Sequence, residues 1–208
     1  MAKTVIALSR TLGAGGEELG AELARELGFE YVDSEIISRA AERAGVSTDV
    51  VAQTEARKPF IARILENLAR GSAGVMAAEA PEMAVYLSEG SESYEGIITE
   101  VIRQVAARGK VVIVAHGASI PLAGTPGLLR VLVTASPDVR AGRVAAQQDS
   151  DSGKAARAVA DSDKARADYF RRFYHLQEEM ATSYDMVVNT DVLDVPSATR
   201  AILAVARS

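Results

Sequence analysis

Short apolar runs alternate with longer amphipathic segments along this chain. Three of the runs are continuously apolar, which suits strands buried on both faces of a mostly parallel sheet. The longer segments carry helical periodicity, so the pattern predicts an α/β fold with about five strands and helices on both faces. The predicted strands are residues 4–8, 29–32, 111–115, 128–134 and 185–189.

The first predicted helix follows a glycine-rich turn. Leu19, Leu23 and Leu27 recur at every fourth position, and Gly28 follows as a stop signal. The chain then enters a predicted helical insertion over residues 34–108. Its helices are expected at about 35–44, 48–57, 60–69 and 94–107, with turn-rich joints at 71–74 and 89–93.

The second half of the chain is predicted to be largely helical after the fourth strand. A helical stretch is expected over 137–181, with a break near 149–153 where Asp, Ser and Gly cluster. A closing helix is expected at 196–206, because it begins with Pro and places apolar residues on one face. Nothing in the length requires a second unit, so a single domain over 1–208 is expected.

Composition narrows the class of protein. Of the 208 residues, 48% are apolar and 25% charged, as in globular domains. The absence of cysteine and the presence of two histidines argue against a metal-ligand cluster, and the net charge of −5 disfavours nucleic acid. With no apolar stretch of membrane-spanning length, and residues 1–8 too short for a signal peptide, we expect no membrane contact and a cytoplasmic location.

The glycine turn is the strongest candidate for chemistry. A buried strand, a glycine-rich turn and a helix follow one another, which is how backbone N–H groups and a helix N-terminus are brought to bind phosphate. The standard signature GxxxxGK[ST] is absent: Gly16 stands at the lysine position, and Glu17 at that of the Ser or Thr that holds magnesium. The predicted cradle is Leu12, Gly13, Ala14, Gly15, Gly16 and Glu17.

Two other interpretations of this turn stay open. Asp33 lies about twenty residues after the glycines, where the ribose-binding acid of a Rossmann fold would lie. Against that, GxGxxG fails because position 18 is Glu, and four residues separate the predicted strand end from Gly13. The turn is also open to a purely structural role.

Segments spread over most of the chain resemble one known family in order and spacing. Residues 5–16, VIALSRTLGAGG, are similar to the opening ISRxxGSGG of the cytidylate-kinase-like family, divergent relatives of the bacterial cytidylate kinases. Residues 23–33 resemble its first helix and the strand that ends in Tyr-x-Asp. Later matches are GKVVIVAHGA at 109–118, LVTASPDVR at 132–140, the D-x-x-R of 163–166 and YDMVVNT at 184–190.

This resemblance implies a P-loop NTPase-like three-layer fold and ATP-dependent phosphoryl transfer to a small acceptor. The expected acceptor is a pyrimidine nucleoside monophosphate, with ATP and Mg²⁺ as cofactors. Arginines on a helical lid within 137–181 would close over the phosphates: Arg140, Arg143 and Arg166, with Asp163 orienting Arg166 or pairing with it at i, i+3. Arg10 would replace the lost lysine. A solvated, salt-bridged helix face is the alternative for the lid arginines.

The acceptor is expected near Asp33, His116 and Gly117. Asp33 would accept a hydrogen bond from the acceptor, or else cap the next helix. His116 stands where the family has an arginine, and it is open to a role as phosphate contact, base or filler. The aromatic residues at 169–174 favour core packing over base stacking.

A second function is left open beside the kinase. Gly16, Glu17 and His116 depart from the kinase pattern, so a nucleotide-binding or regulatory protein that keeps the fold without turnover is the alternative. Met76, Met83 and the other apolar residues of the insertion suit packing or a subunit interface, which leaves room for a homodimer.

Overall fold

A computed structural model describes residues 2–33, 92–115, 117–177 and 179–208. These residues form one five-stranded sheet. The strands are β1 Val5–Arg10, β2 Glu30–Asp33, β3 Val111–Val114, β4 Leu128–Thr134 and β5 Met186–Asn189. All five predicted strands are present, but β1 runs two residues further than predicted, so Arg10 ends the strand instead of lying in the turn.

The strand order is β2-β3-β1-β4-β5, and every pair is parallel. The central strand β1 therefore lies between β3 and β4. In a Rossmann fold β1 lies between β2 and β4, so the order separates this sheet from the dinucleotide-binding arrangement. The predicted gap of four residues between β1 and Gly13 is wrong, because β1 ends at Arg10 and only two residues intervene. The strand order, not this gap, distinguishes the sheet from a Rossmann fold.

Five α-helices lie in the described part of the chain. They are α1 Gly16–Leu27, α2 Glu92–Arg108, α3 Pro137–Gln148, α4 Ser152–Tyr174 and α5 Val195–Ala206. α1 buries Leu19 and Leu23 and ends at Gly28, whose left-handed φ of 65° suits glycine. A short 3-10 helix, Ala181–Ser183, precedes β5.

The core has two layers of packing, one on each face of the sheet. On one face Ile6, Leu8 and Val131 of the sheet pack with α1 and α5 in a single apolar cluster. On β1, Val5 and Ala7 alternate with those residues and are equally buried, and α2 packs against β3. Strands buried on both faces are what the continuous apolar runs predict, and the fold is an α/β, P-loop NTPase-like three-layer fold.

The helical region after β4 differs from the prediction in its second half. The break near 149–153 is present, because α3 ends at Gln148 and α4 begins at Ser152. The predicted continuation to Ala181 is wrong: α4 ends at Tyr174, and His175 has a left-handed φ of 54°. No helix in the described ranges is long and apolar enough to cross a membrane.

The helical insertion is described only in its last part. The helix predicted at 94–107 is present as α2. The helices predicted at 35–44, 48–57 and 60–69, the joint at 71–74, and Met76 and Met83 lie outside the described residues. The joint predicted at 89–93 is described only at residues 92 and 93, where it is wrong, because α2 begins at Glu92. The single-domain assignment stays a prediction.

Candidate phosphate site and its supporting arginines

The turn between β1 and α1 holds two residues in left-handed conformation. Gly13 has φ of 77° and Gly15 has φ of 78°, and Ala14 N–H donates to the carbonyl of Thr11 at 3.1 Å. A Cβ on Gly13 would lie 2.7 Å from the backbone oxygen of Arg140. Glycine is therefore required there both by conformation and by space, and the turn presents its backbone at the N-terminus of α1.

Arg10 occupies the space in which a side chain at position 16 would begin. A Cβ on Gly16 would lie 2.4 Å from Cβ of Arg10 and 2.7 Å from its Cγ. The position of the Arg10 Cβ is fixed by its backbone, so this atom cannot move away without moving the end of β1. The Arg10 Nε donates to Glu17 Oε1 at 2.6 Å. The residue at the lysine position is thus small because an arginine from the strand lies over it.

The loop carbonyls are held from the β5 side by Thr190 and Arg143. Thr190 Oγ1 donates to the carbonyl of Ala14 at 2.9 Å. Arg143 donates to Thr190 O at 2.5 Å, to Thr190 Oγ1 at 3.0 Å and to Gly13 O at 3.4 Å. The Ala14 carbonyl is directed to Thr190, so the opposite side of that peptide presents the N–H of Gly15, as an anion site requires, whereas the N–H of Ala14 is bonded to Thr11.

Arg140 is buried, with 4% of its surface exposed. Its guanidinium makes a two-pronged ion pair with Asp163 at 2.9 and 2.7 Å, and it donates to Ala135 O at 2.9 Å and Leu12 O at 3.4 Å. Asp163 lies on α4 and Arg140 on α3, so the pair joins the two helices. The expected pairing of Asp163 with Arg166 is wrong, because Asp163 binds Arg140 instead.

Arg166 lies on α4, and its side chain is buried against the end of β1. Its guanidinium makes a two-pronged pair with Glu179 at 2.7 and 2.6 Å, and it donates to Ser9 Oγ at 2.7 Å and to the backbone oxygen of Arg10 at 3.0 Å. It also lies 5.0 Å from the centroid of the Phe170 ring. Like Arg140, it is a buried guanidinium bonded to backbone carbonyls and to a carboxylate, and it is not displayed on a solvated helix face.

A tyrosine completes this buried polar group. The Tyr184 hydroxyl donates to Glu179, and burial, followed by the bond to Glu179, raises the pKa of Tyr184 to about 12. The hydroxyl therefore stays protonated and remains a donor at neutral pH. On the other side of Ser9, the N–H of Gly117 donates to Ser9 Oγ at 3.4 Å. Ser9 thus connects Arg166 with the loop that follows β3.

The carboxyl ends of β1, β2 and β3 meet at one edge, because the strands are parallel. Asp33 ends β2 opposite Val114 of β3. Gly117 follows β3 with φ of 71°, and a Cβ there would lie 3.0 Å from Tyr174 and 3.2 Å from Phe170. Asp33 and Gly117 are therefore at the same edge as the glycine turn, where ligands of open α/β sheets bind. His116 lies outside the described residues.

The pKa of Tyr31 shows that several charged groups lie close together at this edge. Burial, then the charges of Asp33 and Glu17, raise the pKa of Tyr31 well above its usual value, while Arg10 acts in the opposite direction. The strand β2, the start of α1 and the end of β1 thus contribute charged groups to one small region. Arg10 contributes a positive charge to this region.

Several residues of this arrangement do not stand out in the sequence. Ser9, Thr190 and Tyr184 belong to the matched segments but have no individual signal. Glu179 lies in a segment predicted as helix, and its partner Arg166 is thirteen positions away, outside any local spacing rule. The sequence signal that could have identified them is the clustering of polar residues next to the ends of buried strands.

The parallel sheet with β1 at its centre and the glycine turn between β1 and α1 define a P-loop-type α/β protein. The sequence profile of the cytidylate kinase-like family matches residues 5–192, and the chain belongs to that family. No curated protein sequence matches it significantly.

Solved structures agree on the fold. An uncharacterized protein from Eubacterium ventriosum superposes with a TM-score of 0.67 at 17% identity, with 98% of each chain covered. Shikimate kinase from Bacteroides thetaiotaomicron gives 0.54 at 15% identity, again with 98% of each chain covered. Shikimate kinase from Acinetobacter baumannii, solved with shikimate, gives 0.52 at 13%, covering 98% of this chain and 92% of that one. At these identities the likeness concerns the fold alone.

Proposed function

We propose that the protein transfers the terminal phosphoryl group of ATP to a small acceptor, and that the acceptor is a pyrimidine nucleoside monophosphate. The observation that carries the proposal is the glycine turn between the central strand and α1, with Gly13 and Gly15 in left-handed conformation and the carbonyls of Gly13 and Ala14 bonded away. Membership of the cytidylate kinase-like family supports the choice of acceptor.

The phosphates of ATP would bind the backbone N–H groups of Gly13, Gly15 and Gly16, since the N–H of Ala14 is bonded to Thr11. Phosphoryl transfer needs little covalent participation from the protein, so positioning and cations carry most of the catalysis. Arg10, at the rim of the turn, supplies the cation that a P-loop lysine would supply. Arg143 is half-buried beside Gly13 and is the second cation near the loop.

Magnesium fits the donors at this turn. Glu17 is an exposed carboxylate in the first turn of α1, and Mg²⁺ is usually held by one or two carboxylates, water and the phosphates themselves. Within the described ranges no group of three or more potential ligands would form a separate cage. Bound there, the ion would neutralise charge on the transferred phosphoryl group.

Arg140 and Arg166 act as positioning residues in this proposal. Each guanidinium is paired with a carboxylate and also donates to backbone oxygens of residues 10 or 12. They therefore fix the end of β1 and the start of the turn, and Asp163 and Glu179 hold them in place. The acceptor would bind at the neighbouring edge, against Asp33 and the 116–117 loop.

A second candidate is a nucleotide-binding protein without turnover. One observation favours it: Arg10 is bonded to Glu17, and Arg140 and Arg166 are each bonded to a carboxylate. In this alternative the turn would bind ATP, and no acceptor would be phosphorylated.

A coupled assay of ADP release separates the two candidates. The full chain is supplied with ATP, Mg²⁺ and, in turn, CMP, dCMP, UMP, AMP and shikimate, with ATP binding measured in parallel. We expect ADP release to rise with a pyrimidine monophosphate. ADP release that rises with AMP or shikimate, and with none of the pyrimidine monophosphates, would overturn the choice of acceptor. ATP binding without release for any acceptor would leave only the second candidate.

A further inference from the structure

Arg10 and Glu17 are bonded to each other at the rim of the glycine turn, and both are rooted in rigid elements. Arg10 is the last residue of β1, and its backbone oxygen accepts from Arg166. Glu17 is the second residue of α1. The Arg10 side chain is 16% exposed and the Glu17 side chain 55%. The arginine is thus largely enclosed, while the carboxylate has room to change partners.

The ion pair lies at the two positions that serve phosphate and metal in the standard signature. The Arg10 stem lies over Gly16, the lysine position, and Glu17 stands at the metal-binding Ser or Thr position. Each member of the pair therefore has a natural partner in a magnesium nucleotide. Arg10 suits a phosphate oxygen, and Glu17 suits the ion.

We propose that Arg10 and Glu17 form an exchange pair that makes the binding of nucleotide and Mg²⁺ interdependent. This inference rests on the proposed function, since it concerns the same phosphate site. The two side chains are bonded to each other without nucleotide. They part when the magnesium nucleotide enters, Arg10 going to a phosphate oxygen and Glu17 to the metal ion.

The coupling follows from charge balance. Nucleotide alone can take Arg10, but it then leaves the Glu17 carboxylate uncompensated beside the phosphates. Metal alone can take Glu17, but it breaks the ion pair with Arg10. The two ligands together give each member of the broken pair a new contact of opposite charge, so each ligand strengthens the binding of the other.

Charged groups on neighbouring elements make nucleotide binding depend more strongly on Mg²⁺. Asp33 at the end of β2 adds a second carboxylate to the same edge, and with Glu17 it raises the pKa of Tyr31. A phosphate chain that enters without metal therefore meets the carboxylates of Glu17 and Asp33 beside Arg10. Magnesium reduces the repulsion that remains when Arg10 turns to the phosphates.

Calorimetric titration of the full chain with ATP, in Mg²⁺ or in EDTA, tests the pair. For the unmodified protein we expect Mg²⁺ to raise the affinity for ATP by at least about tenfold, within the usual range of couplings between sites. In Glu17→Gln the increase in ATP affinity caused by Mg²⁺ should fall below about threefold, mainly because ATP without metal binds more tightly to this variant. The matched control is Glu18→Gln, which removes a charge from the same exposed turn and should keep the original factor.

Arg10→Met completes a double-mutant cycle. If Glu17 acts through Arg10, then Glu17→Gln should no longer improve metal-free binding in the Arg10→Met protein. An equal Mg²⁺ factor in Glu17→Gln and Glu18→Gln, or an improvement that persists without Arg10, would overturn the exchange pair and leave the proposed function standing. Absence of ATP binding by the unmodified chain in both buffers would overturn the proposed function itself. Thermal unfolding of each variant checks that it is folded.

Discussion

At the scale of single residues, the arginines of this protein differ in their burial and in the groups to which they are bonded. Arg140 and Arg166 are buried, and each is bonded to a carboxylate and to backbone oxygens at the end of β1 or the start of the turn. Removing one partner of such a pair leaves a charge without compensation in a poorly solvated place. Their first effect is therefore on the stability and shape of the phosphate site.

Replacing Arg166 by Ala should lower the free energy of unfolding by about 3–5 kcal/mol, because it leaves Glu179 largely buried without its cation. The control is Arg171→Ala on the same helix. Arg171 is exposed and pairs with Asp168 at i, i+3, so its loss should cost less than about 0.5 kcal/mol. Urea denaturation of both variants measures the difference. Equal losses would contradict the structural role assigned to Arg166.

Local spacing does not predict the partners of the two buried arginines. The family resemblance implies a role for Arg140 and Arg166, and the i, i+3 spacing favours Asp163 as the partner of Arg166. The actual partners are 23 and 13 residues away, on another helix or beyond the helix end. Such pairings depend on how α3 and α4 pack together, which no helical periodicity contains.

At the scale of elements, strands were more predictable than helix ends. Strands buried on both faces leave a continuous apolar run, and all five were found within two residues of their observed bounds. The end of α4 was missed because His175, not glycine, takes the left-handed position there. The polar segment that follows retains helix-forming composition, so nothing local marks the boundary.

The edge strand β5 is joined to β4 by an ion pair that titrates. Asp185 accepts from the Arg130 backbone N–H at 2.8 Å and from its guanidinium at 2.6 and 3.2 Å. The Arg130 guanidinium, helped by the Arg130 backbone N–H, holds the pKa of Asp185 below its usual value. A lowered pKa means that the ionised form stabilises the folded state above about pH 4.

Asp185→Asn should therefore lower the free energy of unfolding at pH 6. The difference in this free energy between the variant and the unmodified protein should shrink as the pH falls below about 4, through the lowered pKa of Asp185. Urea denaturation at a series of pH values measures this. Asp161→Asn, at an exposed position of α4, controls for loss of one negative charge. A deficit that stays constant from pH 6 to pH 3 would show that charge at Asp185 does not contribute.

At the scale of the whole molecule, the order of the strands decides where the site lies. β1 is central, so the glycine turn opens at the middle of the sheet edge, with the β2 and β3 ends on one side and the β5 loop on the other. The order could not be read from the sequence pattern, because β1 pairs with β3 across about a hundred intervening residues.

Binding at this site should stabilise the whole fold. A ligand at a hundred times its dissociation constant adds about 2.7 kcal/mol, which for a chain of this length corresponds to a rise in Tm of roughly 5–11 °C. Thermal unfolding with ATP and Mg²⁺ measures the rise. Adenosine with Mg²⁺ is the control, because it offers the base without phosphates. An equal rise with adenosine would place the binding energy outside the glycine turn.

The contact between Arg10 and Gly16 also constrains how this phosphate site can evolve. A lysine at position 16 would begin 2.4 Å from Cβ of Arg10, so that single substitution damages the site before any benefit appears. A smaller residue at position 10 alone removes the cation and provides no substitute. The arginine form and the lysine form of the turn are thus two separate solutions, and passage between them requires both positions to change together. Among relatives of this chain, the identities of these two positions should vary as a pair.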